Sequence, residues 1–234
     1  LEMGMRGLGE IRHLTSIARP SVGVVTNVGQ VHLELLGSLE NIARAKGELV
    51  EALGAKGIAV LNADDERVAA MGANHQGRIV FYGLGGGDVR AREIKEGRRA
   101  LEFTLYGTPF PHDFKVSVGI PGRHNVHNAL AAAACAAALG ADPEAITVGL
   151  ASFEPTEMRL QIEEMPGGAT VLNDAYNASP ASMRAALETL GNLAAGFKIA
   201  VLGDMLELGP QTVQLHRAVG KTAAAIVDYL VVVG

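Results

Sequence analysis

The 234-residue sequence has no apolar run approaching the ~20 residues that a membrane-spanning helix needs, which argues against membrane insertion. It also lacks an excess of basic charge. Twenty Lys and Arg stand against 25 Asp and Glu, giving a net charge of −5 and a pI near 5.8. Nucleic acid and anionic membrane surfaces need clustered Lys and Arg, so neither is expected as a partner. Cysteine is nearly absent: Cys135 stands alone, so no intrachain disulfide can form. Its place inside ALAAAACAAALG reads as a small core residue on a tightly packed helix, and a reducing cytoplasm is the expected setting. The first residues, LEMGMRGLGE, carry neither an initiator Met nor a basic leader, and the last, DYLVVVG, stop on a strand pattern. Both ends read as cuts in a longer protein.

Hydrophobic residues make up 48% and charged residues 19%, the balance of a globular chain rather than a disordered one. Continuous apolar runs recur at 21–27, 57–62, 78–83, 170–174, 198–204 and 229–234, separated by segments of helical period at 38–54, 64–73, 123–139, 180–193 and 210–226. Strands buried on both faces and alternating with helices predict an α/β architecture built on a mostly parallel sheet. Residues 88–118 alternate polar and apolar around the turn KEGR and predict an antiparallel hairpin or meander beside that sheet. A proline-containing link after the helix DPEAITVGLASF divides the chain into 1–153 and 154–234. The stretch GLGGGD (83–88) reads as a flexible loop. The GKT at 220–222 imitates the tail of a phosphate-binding loop, but Leu215 stands where that motif needs glycine and the segment reads as helix.

Candidate chemistry gathers where strands end. His32 follows the strand 21–27 by one short turn, in the zone where parallel α/β sheets bind ligands. Ser38 is a natural N-cap for the next helix, with Glu40 in its first turn. At about 100° per residue, Lys46 falls within about 60° of Ile42, Leu49 and Leu53, so it points along the apolar face. An unpaired ammonium is costly there. Three readings stay open at this point: a snorkelling lysine, one paired with phosphate, or one converted chemically to an anion. Asn125 and Asn128, after His124 in GRHNVHN, share a helix face and carry both donor and acceptor, suited to an adenine edge or to capping. Asp174 ends a strand in LNDAYNASPASM, followed by Tyr176, Asn177 and Ser179 in a polar loop. Arg159 sits just beyond the interdomain link, positioned to reach an anion across it.

Taken in order, TNVGQVHLELLGS, AKGE, LNADD, GRHNVHN, MR and NDAYNASPASM resemble the ATP-dependent Mur ligases of peptidoglycan synthesis, along the whole chain. DAYNASP followed by LGDMLELG is similar to the branch that joins D-alanyl-D-alanine to UDP-N-acetylmuramoyl-tripeptide. The DNPR motif of another branch and the DGAHNP loop of folylpolyglutamate synthetases do not occur. The resemblance implies a central ATPase domain, in part, followed by part of a Rossmann-like C-terminal domain. It implies ATP and Mg²⁺ as cofactors and an acyl-phosphate route to the amide bond. Residue by residue, it implies Glu2, His32 and a carbamylated Lys46 at magnesium, and His124, Asn125 and Asn128 at adenine. Arg159 and Asp174 would meet the nucleotide's phosphates and ribose. Tyr176, Asn177 and Ser179 would lie near the acceptor dipeptide. Lys46, His32, Arg159 and Asp174 form the expected catalytic set. The family's GTxGKT loop would lie upstream of Glu2, so the chain by itself is expected to have little activity. A monomer is the expected state. A scaffold that kept the fold, or a ligase for another amino acid, is the alternative.

Overall fold

The computed structural model describes residues 1–194 and 196–234. Its first unit is a six-stranded sheet whose spatial order follows the chain: β1 (Val22–Val25), β2 (Ile58–Asn62), β3 (Arg78–Gly83), β4 (Val89–Glu96), β5 (Leu101–Gly107) and β6 (Phe114–Val118). Strands β1 to β4 run parallel to their neighbours, and β4, β5 and β6 pair antiparallel. The antiparallel strands therefore continue the main sheet rather than lying beside it. The glycine-rich loop makes that continuity possible. Parallel neighbours ordinarily need a long crossover, yet only residues 84–88 separate β3 from β4. Gly87, at φ 110°, lets the chain double back so closely that a Cβ would lie 2.9 Å from the Phe81 carbonyl oxygen. The Asp88 N–H donates to that oxygen at 2.8 Å, and the Phe81 N–H to the Asp88 carboxylate at 2.9 Å. The loop is tied down, not free.

Strand β2 shows why the apolar runs are continuous. Val60 packs into one core with helix α5 (Asn125–Ala138), while Ala59 and Leu61 pack into another with helix α3 (Leu39–Ala52). Each fully buried aliphatic side chain contributes roughly 1.5–3 kcal/mol. Helix α6 (Pro143–Ala151) follows α5 and adds Ile146 and Leu150 to the first core. Two helices escaped the sequence reading. Helix α1 (Glu10–Ala18) receives its cap from a distant residue: the buried Glu48 carboxylate of α3 accepts the N–H groups of Gly9 and Arg12 at 2.7 and 3.0 Å. Helix α2 (Leu33–Leu36) is a single turn.

The second part begins with β7 (Gln161–Glu164) and β8 (Thr170–Asn173), an antiparallel hairpin closed by the Met165–Ala169 turn. This corrects the reading of 170–174 as a member of the parallel series. The MPGG turn folds β8 back on β7, and Leu160 and Leu172 pack against the first core. Helix α7 (Pro180–Asn192), β9 (Ile199–Gly203), α8 (Thr212–Ala224) and β10 (Tyr229–Val233) follow, with β9 and β10 parallel. Their core is Leu187, Ala200, Met205, Leu208, Leu215, Val219 and Ala223. No helix among the described residues is long and apolar enough to cross a membrane.

Helix α4 (Glu66–Ala70) starts at Asp65, whose Oδ1 accepts the N–H groups of Arg67 and Val68 at 3.0 and 3.1 Å. Its Oδ2 takes the Val28 N–H at 2.7 Å, from the loop after β1. Replacing Asp65 with Ala removes a cap and a loop tie together and is expected to cost ~1–3 kcal/mol. Asp65→Asn, which keeps an acceptor, should cost less; chemical denaturation of both variants checks the order.

Candidate functional site

Where β1 ends, the backbone leaves the ladder and its carbonyls need new donors. Asn62 Nδ2 and the Tyr82 hydroxyl donate to the Thr26 carbonyl at 2.8 and 3.5 Å. Lys46 Nζ donates to the Asn27 carbonyl at 2.9 Å. With Val28 held by Asp65, the loop from Thr26 to His32 is fastened by β2, β3, α3 and the turn before α4. Lys46 is half-buried between the buried Ala45 and Gly47. Burial lowers its pKa from the usual lysine range, and the Asp65 charge opposes part of that shift. Its head is turned onto a protein carbonyl.

His32 opens α2 with φ 56°, a left-handed conformation costing a non-glycine residue roughly 1 kcal/mol. Its Nδ1 meets the carboxylate of Glu207, from the loop between β9 and α8. Glu2 is exposed and forms no hydrogen bond among the described residues. No group of three or more His, Cys, Asp or Glu side chains among the described residues is gathered to hold a metal, so Glu2 and His32 lie in no ready-made cage. Glu2 offers a carboxylate oxygen of the kind that suits Mg²⁺, which is commonly held by one or two carboxylates plus substrate phosphates. The Lys46 amine is no oxygen donor as it stands; a carbamate on it would be.

His124 is exposed at the start of α5, next to Gly122. Asn125 is buried, and its amide is spent: Nδ2 donates to the Pro121 carbonyl at 2.7 Å, and Oδ1 accepts from Asn128 Nδ2 at 2.9 Å. Asn128 is exposed and keeps its carbonyl oxygen uncommitted among the described residues. Of the two amides, Asn125 builds the turn and Asn128 faces outward from it. One turn away, His127 Nε2 meets Asp64 at 2.9 Å, and Asp64 also accepts the N–H groups of Leu84 and Gly85 at 2.6 and 2.9 Å. Burial raises the Asp64 pKa, but these bonds outweigh it and hold the carboxyl below its ordinary value. The glycine loop is thereby tied to the start of α5.

Arg159, Asp174 and Tyr176 do come together. The Arg159 guanidinium lies over the Tyr176 ring at 4.2 Å. Asp174 Oδ1 accepts the Leu160 N–H at 3.1 Å, and the Tyr176 N–H donates to the Met158 carbonyl at 3.2 Å. Burial raises the Asp174 pKa, with Leu160 and the Arg159 charge opposing it. Asn177 Oδ1 accepts the Ala178 N–H at 2.8 Å. Ser179 is occupied as the N-cap of α7, in a capping box with Ser182. Four residues outside the sequence-derived set hold this architecture: Asn62, Asp64, Asp65 and Glu207. The first three lie in LNADD, where two adjacent acids after a buried strand were the available signal; for Glu207 only the LGDMLELG motif pointed to its segment.

The Mur ligase middle domain matches residues 1–136, and the Mur ligase, glutamate ligase domain matches 158–234. The UDP-N-acetylmuramoyl-tripeptide--D-alanyl-D-alanine ligase of Mycobacterium bovis is 42% identical over 100% of this chain and 47% of its own length. A crystal structure of MurF from Acinetobacter baumannii superposes with a TM-score of 0.93 at 34% identity, over 100% of this chain and 51% of that one. MurF from Thermotoga maritima in complex with ADP gives 0.89 at 29% identity, over 99% and 53%. The chain spans about half the length of the curated relatives it matches. With the middle-domain match alone covering more than half of its residues, the chain belongs to the Mur ligase family.

Proposed function

We propose that this chain is the nucleotide-handling part of a cytoplasmic, ATP-dependent ligase that joins D-alanyl-D-alanine to UDP-N-acetylmuramoyl-tripeptide. The named relatives and the ADP-bound neighbour support the substrate and the nucleotide. The observation that carries the mechanism is the setting of Lys46. Burial favours its neutral amine, the form that attacks CO₂. The resulting carbamate retains one N–H, so the Asn27 carbonyl keeps its donor after conversion. The product is an oxygen-bearing anion at the carboxyl end of β1, where Glu2 and His32 are expected to share a magnesium ion. That ion, when bound, neutralises phosphate charge during transfer.

The remaining roles fall to the chain's own side chains. Asn128 offers its free carbonyl to the adenine amine, while His124 stands beside it and Asn125 holds the turn. Arg159 supplies positive charge to the phosphates, held in orientation by stacking on Tyr176. Asp174 accepts from the ribose on the oxygen that Leu160 leaves free, and the Asn177 and Ser179 segment borders the acceptor dipeptide. In sequence, the γ-phosphoryl group passes from ATP to the peptide's terminal carboxylate. The dipeptide amine then displaces phosphate from the acyl phosphate, forming the amide bond and releasing ADP and phosphate. With the expected division into residues 1–153 and 154–234, the two halves of the proposed nucleotide site fall on separate domains.

Two outcomes follow for the full-length protein. Lys46→Ala is expected to lower turnover ~100-fold or more. Lys46→Arg should be equally impaired, because a guanidinium keeps the charge but does not form the carbamate. Carbon-13 NMR after exposure to labelled CO₂ should show a lysine carbamate in the wild type only. Retained activity in the arginine variant would overturn the carbamate. Asp174→Ala should weaken productive nucleotide use by about 10–100-fold, as expected for a lost hydrogen bond to a charged group, with Asp174→Asn intermediate. Steady-state kinetics across ATP concentrations reads this directly, and unchanged values would remove Asp174 from the site.

A further inference from the structure

Glu207 is held in a conformation that its residue type does not favour. Its φ is 60°, and its partner His32 has φ 56°, so two non-glycine residues in left-handed backbone face each other across the two parts of the chain. Such outliers persist only where the surroundings over-determine them. Here the surroundings are explicit. The Glu207 carbonyl accepts the Glu34 N–H at 3.0 Å, satisfying an otherwise orphaned donor in the first turn of α2. Gln30 Nε2 donates to Gln211 Oε1 at 3.3 Å. Gly209, at φ 57°, passes so near α2 that a Cβ there would lie 3.2 Å from the Glu34 Cα. Below the loop, Met205 and Leu208 are buried in the second core, and the Met205 N–H donates to His216 Nε2 at 3.1 Å. The result of all this is one contact, the Glu207 carboxylate on Nδ1 of His32.

That contact decides which ring nitrogen is free. A carboxylate only accepts, so Nδ1 carries the proton and donates it, leaving the Nε2 lone pair open. Metal-binding histidines are commonly oriented in this way, with the second nitrogen donating to a carboxylate that fixes the tautomer and strengthens the ligand. We infer that Glu207 is a positioning residue for His32: it comes from the C-terminal part and presents Nε2 to the divalent cation. The inference rests on the proposed function, in which His32 is a metal ligand. It adds that the metal site is complete only when the loop between β9 and α8 is docked on α2. Glu207 acts through the imidazole.

The full-length protein, kept in bicarbonate with ADP, gives the test, with Mn²⁺ as the probe followed by electron paramagnetic resonance. Glu207→Ala is expected to weaken Mn²⁺ binding by about 10–100-fold. Glu207→Gln should lose less, since its amide oxygen still accepts from Nδ1. Histidine-selective ¹⁵N NMR of the metal-free protein should show His32 protonated on Nδ1 in the wild type and shifted from that tautomer in Glu207→Ala. ADP affinity without metal should change less than about twofold, as expected for a surface side chain outside the nucleotide contacts. Glu207 is partly exposed, so neither variant disturbs a core. If His32→Asn weakens Mn²⁺ binding while Glu207→Ala leaves either the affinity or the tautomer unchanged, the positioning role is overturned and the proposed function stands. If His32→Asn itself leaves Mn²⁺ affinity unchanged, His32 is no ligand, and the metal part of the proposed function fails along with this inference.

Discussion

The need to satisfy two backbone carbonyls, those of Thr26 and Asn27, shapes everything around the carboxyl end of β1. Past the end of the ladder these oxygens have no strand partner, and side-chain donors take the place of the missing strand. The donors that answer come from three elements: Asn62 from β2, Tyr82 from β3 and Lys46 from α3. Because each donor has a fixed place in the sheet or on a packed helix, the loop to His32 is fixed as well. A lysine on the apolar face of α3 is therefore explained before any chemistry is invoked. Its ammonium trades water for a carbonyl.

On the proposed reading, the burial of Lys46 is what makes its amine available for conversion. Desolvation lowers its proton affinity, while Asp65, which also holds Val28 and caps α4, pulls the other way. Asp65 thus limits how far the amine is neutralised. Two anions side by side, a carbamate and the Asp65 carboxylate, would repel each other at this low-dielectric margin unless a cation stood with them. On the proposed reading the electrostatics link the modification to the metal, because the cation offsets the repulsion between the two anions. Neither Asp65 nor Asn62 needs to touch substrate for this coupling to work.

The parallel strands β1, β2, β3, β9 and β10 were legible because they read as unbroken apolar runs, although β9 and β10 leave most of their side chains exposed among the described residues. The Ser38 cap, the side-chain direction of Lys46 and helix α5 were legible for the same reason: each is a local pattern. Strand β8 was misassigned because an apolar run does not say which neighbour it pairs with; the MPGG turn just before it was the decisive signal. Helix α1 was missed because its cap, Glu48, lies far along the chain. At the candidate site, Arg159, Asp174 and Tyr176 share one strand-end cluster that their motifs suggested. The sequence left Asn125 open between an adenine edge and capping and put Ser179 in a polar loop; the fold spends both on turns and caps. Sequence pattern gives the residue type; whether its polar atoms are already committed is a tertiary fact.

How the two parts are held together follows from which contacts are buried. Across the outer boundary, Arg98 and Arg99 reach Glu164, but all three side chains are exposed, and such pairs contribute little. Asn192 Nδ2 meets Glu96 at 3.2 Å, also in solvent. The β7–β8 hairpin is different, because Leu160 and Leu172 pack against the first core. It stays with the first unit by burial of apolar surface. Farther along, the β9–α8 loop meets α2 through polar atoms and one close glycine approach. Contacts of that kind are specific in geometry and modest in energy, which is the combination that lets a docked state form and release. A large apolar seam in the same place would fix the two parts permanently. On the proposed reading, a nucleotide that enters, reacts and leaves between them requires the weaker seam.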